Sequence, residues 1–188
     1  MISLLTQDLP CAVEVAGVAL DVRTDFRDWI RFALLLSDKE ITDRDKLSLL
    51  PCWFVSPPEI FTALHLMALR GFYAASELDP DRDAGEEEEP YPGPPCFDWQ
   101  YDARYVLGDF RHYYGIDLMQ ESLHWWAFRA LFTALPPESR CMERIYYRTA
   151  DLSLLSEGER KRIRRIRAAI ALPFEMSDEM IGAALGGL

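Results

Sequence analysis

The segment 121–135 constrains the fold of this chain more than any other part of the sequence. Ten of its fifteen residues are apolar, and the polar ones point in different directions when the segment is drawn as a helix. A helix that is apolar nearly all round packs either at the centre of a core or against a partner. Pro136 and Pro137 follow and end it. The sequence therefore predicts a helix that is central to the core or lies against another protein.

The rest of the chain predicts a mainly α fold, a single-domain bundle of about six helices with a small N-terminal β-hairpin. Two short runs rich in β-branched residues, 12–15 and 18–22, flank Ala16-Gly17 and indicate the hairpin. Capping residues, prolines and 3.6-residue periodicity indicate the helices. Besides the helix over 121–135, three helices are predicted to begin at an N-cap Thr24, at Thr42 or Asp43, and at Pro57-Pro58. Three more are predicted over about 97–114, over about 138–147 and along a basic stretch that ends at about 171.

A length of 188 residues predicts one domain with a hydrophobic core of its own. We divide it into the hairpin (1–23), N-terminal helices (24–76), an acidic proline-rich loop (77–96), aromatic-rich helices followed by the basic helix (97–172) and a weakly ordered C-terminal tail (173–188). The loop carries seven of the eleven net negative charges and five prolines, and has almost nothing apolar to bury. Such a composition predicts a disordered, solvated segment.

The charge pattern also bears on the partners of the chain. A net charge of −11 repels phosphate backbones, so general nucleic-acid binding is not expected. The six cations between Arg160 and Arg167 alternate with isoleucines at helical spacing. We interpret them as a solvated or ion-paired helix face in preference to a nucleic-acid site. No apolar run is long enough to span a membrane, and the N-terminus lacks the basic start of a secretory signal.

Few residues fall into patterns typical of catalysis or metal binding. The four cysteines form no C-x-x-C pair and fit a reducing cytosol. Glu121-x-x-His124 matches one unit of a di-iron site, but such a site needs two, so we interpret His124 as a core or helix-start residue. Asp98, Asp102 and Asp109 share one helix arc and could bind a cation or act as acid and base. We favour a helix N-terminal role for Asp98 and a solvated or salt-bridged face for the other two. We expect no enzymatic activity, no cofactor and no metal.

Aromatic residues are dense between Phe97 and Phe132. Five Trp, eight Tyr and ten Phe are present in all, and aromatics at this density most often fill a core. Where they exceed what a small core can bury, they mark an association surface. We therefore name seven candidate partner-binding residues: Trp99, Phe110, Tyr114, Trp125, Trp126, Phe128 and Phe132.

The same region resembles a family of bacteriophage proteins encoded beside the tape-measure gene of long-tailed phages and prophages of Gram-positive bacteria. The similarity covers most of the chain apart from the acidic loop and the last fifteen or so residues. It is carried by Phe97-Asp98-Trp99 with Asp102, by Phe110, by Tyr114-Gly115-Ile116-Asp117-Leu118, by 123–131 (LHWWAFRAL), by Thr24-Asp25-Phe26-Arg27 and by 142–151.

This resemblance implies a tail assembly chaperone: a mostly helical, non-enzymatic protein of the host cytoplasm that binds the tape-measure protein and keeps it soluble. It also implies possible self-association and a longer frameshifted form as partners, and it transfers no catalytic residues. Two other hypotheses stay open. One is a cytosolic helical adaptor or regulator that uses the Arg160–Arg167 face, and the other is a carboxylate/His metalloenzyme built on Glu121 and His124.

Overall fold

The computed structural model describes residues 6–75, 94–153 and 155–173. These form a two-stranded antiparallel sheet and seven α-helices. The elements are β1 (Ala12–Val15), β2 (Val18–Asp21), α1 (Phe26–Ser37), α2 (Asp43–Leu49) with a 3-10 turn (Leu50–Trp53), α3 (Ala63–Ala74), α4 (Ala103–Asp109) continued by a π-helical turn (Phe110–Tyr114), α5 (Trp125–Thr133), α6 (Arg140–Thr149) and α7 (Glu157–Ala169). The prediction of a mainly α chain with an N-terminal hairpin is confirmed.

The described residues divide into two compact units. Unit 1 comprises residues up to 75 together with 115–134, and unit 2 comprises 94–114 together with 135–173. Neither unit is a continuous stretch of sequence, which agrees with a single domain more than with two domains joined by a linker. Unit 1 contains the hairpin, α1, α2, α3 and α5, whereas unit 2 contains α4, α6 and α7.

The hairpin closes through the Ala16-Gly17 turn, as predicted. Val15 pairs with Val18, and the two turn residues have φ angles of 51° and 80°. Two successive positive φ angles are typical of the tight turns that match the twist of a hairpin. Gly17 adopts this angle without steric cost, whereas Ala16 is held in it by the strand pairing.

Three predicted helix starts in unit 1 need correction, two because distant segments pair and one because a local capping interaction defines a later start. The carbonyl of Thr24 accepts from Trp125 N–H at 2.7 Å, so Thr24 is extended and Asp25 caps α1 instead. The same pairing leaves 121–124 outside the helix, and the helix predicted over 121–135 begins at Trp125. The third helix begins at Ala63 and not at Pro57-Pro58, because Thr62 N–H donates to His65 Nδ1 at 3.2 Å and defines a later N-terminus.

In unit 2 the helix predicted over 97–114 begins only at Ala103. Asp98 accepts the N–H groups of Gln100 and Tyr101 through one carboxylate oxygen, at 2.7 and 2.9 Å. This side chain therefore satisfies the backbone in a turn that precedes the helix. Gly115, predicted to follow the helix with a left-handed conformation, has a φ of 71°.

Two predictions fall largely outside the described residues: the disordered loop 77–96, of which only 94–96 are described, and the weak tail 173–188, of which only Pro173 is described. Within the part of the chain that the structure covers, no helix is long and apolar enough to cross a membrane.

Candidate functional site

The seven candidate partner-binding aromatics do not lie on one surface. Four of them, Phe110, Trp125, Trp126 and Phe128, are at most 2% exposed and fill cores. Side chains buried to this extent cannot contact a partner in this conformation, so for these four the structure supports packing. Trp99, Tyr114 and Phe132 are half-buried. Moreover, Trp99, Phe110 and Tyr114 belong to unit 2 and the other four to unit 1.

The aromatic side chains of unit 1 pack as stacked rings. Phe26 of α1 stacks on Phe128 of α5 with centroids 4.7 Å apart, and Trp125 stacks on Tyr73 at 5.3 Å. Such pairs contribute about 0.5–1.5 kcal/mol each beyond the area they bury. Of the two positions that the sequence allowed for α5, the core of unit 1 is the one observed.

The two adjacent tryptophans of α5 also hold the end of α3. The indole N–H of Trp126 donates to Phe72 O at 2.8 Å, and that of Trp125 donates to Tyr73 O at 2.9 Å. Arg129 donates to the carbonyls of Tyr73 and Ala74 at 2.8 and 2.7 Å. The last carbonyls of a helix have no partner within it, and a cation there also complements the helix dipole. These three residues therefore fix the position of α3 in unit 1.

The opposite side of α3 exposes apolar residues to solvent. Leu64 and Met67 are 54% and 67% exposed, and Ile60, just before the helix, is 75% exposed. Gly71 continues the same side one turn after Met67, and a Cβ built on it meets nothing within 4 Å. We call these four residues the α3 outer face. A surface helix usually turns polar residues to solvent, and contiguous apolar exposure is typical of an interaction site.

Apolar periodicity alone does not separate the two sides of α3, because Leu64 and Met67 count as apolar residues of the same helix as Leu69 and Phe72. The signal was present in the spacing. Leu69 and Phe72, which are buried, lie on a different arc from Leu64 and Met67. A helix with apolar residues on two arcs presents one of them to something other than its own core.

In unit 2, a buried ion-pair cluster ties α6 to the start of α4. Asp102, 1% exposed, accepts from both terminal nitrogens of Arg148 and from Arg144 Nε, which is 3.1 Å away. Arg148 is 4% exposed and donates also to the carbonyls of Cys96 and Ile170. Burial raises the pKa of Asp102, but the hydrogen bonds from the two arginines outweigh burial and hold it below its usual 3.8. This cluster is structural, and it was missed because Arg148 is 46 residues away.

Asp109 has a comparable structural role. Its carboxylate accepts from the backbone N–H groups of Arg140 and Cys141, the latter at 2.7 Å, and so caps the N-terminus of α6 from a different helix. The Asp98, Asp102 and Asp109 stripe is thus a set of capping and ion-pairing groups, as the sequence favoured. Of the two alternatives for Asp102 and Asp109, a solvated face does not hold because both are buried, whereas the salt-bridged one holds for Asp102.

Glu121 and His124 do not form a metal site with each other. Glu121 accepts from the backbone N–H of Asp117 at 3.1 Å. His124 is the N-cap of α5: Nδ1 accepts from Trp126 N–H at 3.1 Å, which leaves Nε2–H to donate to Pro10 O at 3.0 Å. The interpretation of His124 as a helix-start residue is confirmed. Among the described residues, no group of three or more His, Cys, Asp or Glu side chains is arranged to hold a metal ion.

Comparison with curated proteins and with solved structures finds no match. A family model described as "Bacteriophage Gp15 protein" matches residues 5–172, which is nearly the whole chain and includes both units. The resemblance to a phage family is therefore confirmed at that level. The chain belongs to the bacteriophage Gp15 protein family.

Proposed function

We propose that this protein is a tail assembly chaperone that binds the phage tape-measure protein and keeps it soluble until the tail is built, without an enzymatic step. Membership of a phage protein family and the resemblance described above support a role in assembly. The observation that carries the proposal is the α3 outer face, where Leu64 and Met67 on an anchored helix and Ile60 just before it are all more than half exposed.

The physical argument concerns the nature of the client. A tape-measure protein is a very long helical chain with apolar stripes, which aggregate when they are exposed. An apolar face on a fixed helix can pack against such a stripe in the way amphipathic helices dock. Because Trp125, Trp126 and Arg129 hold the end of α3, the face is preorganised and little conformational entropy is lost on binding.

Co-expression with the neighbouring tape-measure product tests the proposal. We expect the wild-type protein to co-purify with it and to raise its soluble fraction. The double variant Leu64→Ser/Met67→Ser should weaken co-purification at least tenfold, because truncating central apolar contacts typically costs about 2 kcal/mol or more. If wild-type protein neither binds nor solubilises the tape-measure product, the proposed function is wrong.

A matched control separates the α3 outer face from general surface hydrophobicity. Val18 and Met119 are 58% and 74% exposed in the same unit but lie outside the α3 outer face. The double variant Val18→Ser/Met119→Ser should bind like the wild type. Equal losses in both double variants would show that binding does not depend on this face.

The basic side of α7 supports the second candidate, a helical adaptor for an acidic partner. Arg160 and Arg167 donate to backbone carbonyls within unit 2, whereas four cations are exposed. The exposed ones are Lys161, Arg162, Arg164 and Arg165. Lys161→Glu/Arg165→Glu should leave binding of the tape-measure product unchanged if the chaperone proposal is right, and should abolish partner binding if the adaptor proposal is right.

A further inference from the structure

Unit 2 carries an open groove of about 600 Å³ along α6 and the loop before it. This volume lies in the range of pockets that bury most of a ligand's surface. The residues that line the groove are Leu135, Pro137, Glu138, Met142, Glu143, Tyr146 and Tyr147. We call this feature the α6 groove.

The walls of the α6 groove are of the kind found at protein interfaces. Met142 and Tyr146 are four residues apart and therefore lie on one side of α6. Tyr146 is 52% exposed, and its ring lies 5.5 Å from that of Tyr147. Tyrosine and methionine are enriched at interfaces, where their side chains give a large contact area.

The charges at the α6 groove have one sign. Glu138 and Glu143 are the two charged residues among the described residues that line it. Glu143 is bridged to Arg140 at 3.2 Å, but the Arg140 side chain is 77% exposed. Such an exposed pair contributes less than about 1 kcal/mol, so an incoming cation can replace Arg140.

The neighbouring tyrosine responds to the same charges. Tyr113 lines an adjacent cavity that shares Glu138 and Glu143 with the α6 groove. Loss of solvation raises the pKa of Tyr113, and the negative charges of Glu138, Asp109 and Glu143 raise it further. Arg140 opposes this effect in the adjacent cavity, but the described residues that line the α6 groove itself include the two glutamates and no cation, which favours a positively charged partner.

We propose that the α6 groove binds an amphipathic helical segment of the client whose apolar stripe is flanked by Lys or Arg residues. The apolar side chains enter between Met142 and the two tyrosines, and the flanking cations pair with Glu138 and Glu143. The inference rests on the proposed function, since it specifies which segments of a tape-measure protein are held by unit 2. It assigns a second contact surface, separate from the α3 outer face in residues and in chemistry.

Fluorescence anisotropy with the full-length protein tests this assignment directly. Three labelled helical peptides share one leucine stripe and differ only in flanking residues, which are Lys, Gln or Glu. We expect the Lys peptide to bind at least tenfold more tightly than the Glu peptide, and the preference to shrink at higher salt because exposed ion pairs are screened. Glu138→Gln should reduce the preference between the Lys and Glu peptides. Equal affinity for the Lys and Glu peptides would overturn the proposal.

A pair of tyrosine variants controls for nonspecific effects. Tyr146→Ser should weaken binding of the Lys peptide at least tenfold, whereas Tyr101→Ser, at a tyrosine that is 55% exposed in the same unit but outside the groove, should not. Both side chains are half-exposed, so both variants should fold, which circular dichroism verifies. Unchanged binding by Tyr146→Ser would show that the peptide lies elsewhere.

The outcomes separate this inference from the proposed function. If the Lys peptide does not bind but the wild-type protein still co-purifies with the tape-measure product, the α6 groove assignment fails alone. If the tape-measure product does not co-purify with wild-type protein, the proposed function fails whatever the peptides do.

Discussion

Replacing Asp102 by asparagine should lower the free energy of unfolding by about 3–5 kcal/mol, the usual effect of breaking a buried ion pair. The substitution keeps the size of the side chain but removes its charge. One carboxylate oxygen, which accepts a hydrogen bond from arginine, is replaced by an amide NH2 group, which can only donate. Two hydrogen-bond donors then face each other at a site that is 1% exposed. Arg148, itself 4% exposed, keeps two carbonyl partners but loses its counter-ion.

Urea titration of the full chain, followed by far-UV circular dichroism, measures this loss. The control is Arg31→Gln, which breaks an exposed pair with Asp28 and should cost less than about 1 kcal/mol. The double variant Asp102→Leu/Arg148→Met should recover most of the loss, because it removes both buried charges together. A loss below about 1 kcal/mol in Asp102→Asn would refute the argument that this pair holds α6 to α4.

The same ion pair makes the wild-type protein sensitive to acid. Since the pKa of Asp102 in the folded state lies below its usual 3.8, its contribution is complete above that pH and is lost as pH falls through the folded value. The difference in stability between wild type and Asp102→Asn should therefore shrink in the acid range. A difference that stays constant there would contradict the assignment.

Three further predictions concern single side chains. Gly71→Ala should stabilise the free protein by about 0.5–1 kcal/mol, because Gly71 lies within a helix with open space around it. Gly115→Ala should instead destabilise the protein, because the φ angle of Gly115 is 71°. Denaturant titration of the two variants measures both effects. Burial lowers the pKa of His124, although the hydrogen bond to Pro10 acts in the opposite direction. The contribution of the neutral ring to stability should therefore be complete above the usual pKa of 6.5 and decline as pH falls below it. His124→Asn, which still caps α5, should flatten this decline in thermal melts. Burial and the charges of Asp102 and Asp109 raise the pKa of Cys141 to about 12. A thiol reagent at neutral pH should therefore label the exposed Cys11 and leave Cys141 unmodified until the protein is denatured. Mass spectrometry of the labelled protein tests this.

Local signals in the sequence were sufficient for several elements. The hairpin follows from β-branched runs around Ala16-Gly17, and the Thr42 side chain caps α2 by accepting from Asp45 N–H at 3.2 Å. These features depend on residues a few positions apart, whose interactions the sequence displays directly. The same holds for Gly115, whose position after a periodic run predicted its positive φ.

Long-range contacts account for what the sequence could not predict. The start of α5 depends on the hydrogen bond from Trp125 N–H to Thr24 O, and the buried charge of Asp102 depends on Arg148. Neither pairing produces a periodic pattern in the sequence. The density of aromatic residues was a true signal of a large core, because four of the seven candidate aromatics are buried. It did not distinguish these core residues from exposed ones such as Leu64, Met67 and Tyr146.

Because each unit is built from two separate stretches of the chain, unit 1 cannot be completed until its second stretch has been synthesised. Unit 1 lacks α5 until residue 133 has left the ribosome, so Phe26 has no Phe128 to stack on and the last carbonyls of α3 have no donors before then. Nascent chains and fragments that stop earlier leave Phe26 without the ring on which it stacks in the finished protein. The α3 outer face therefore becomes a fixed binding surface only after residue 133 of 188 has left the ribosome.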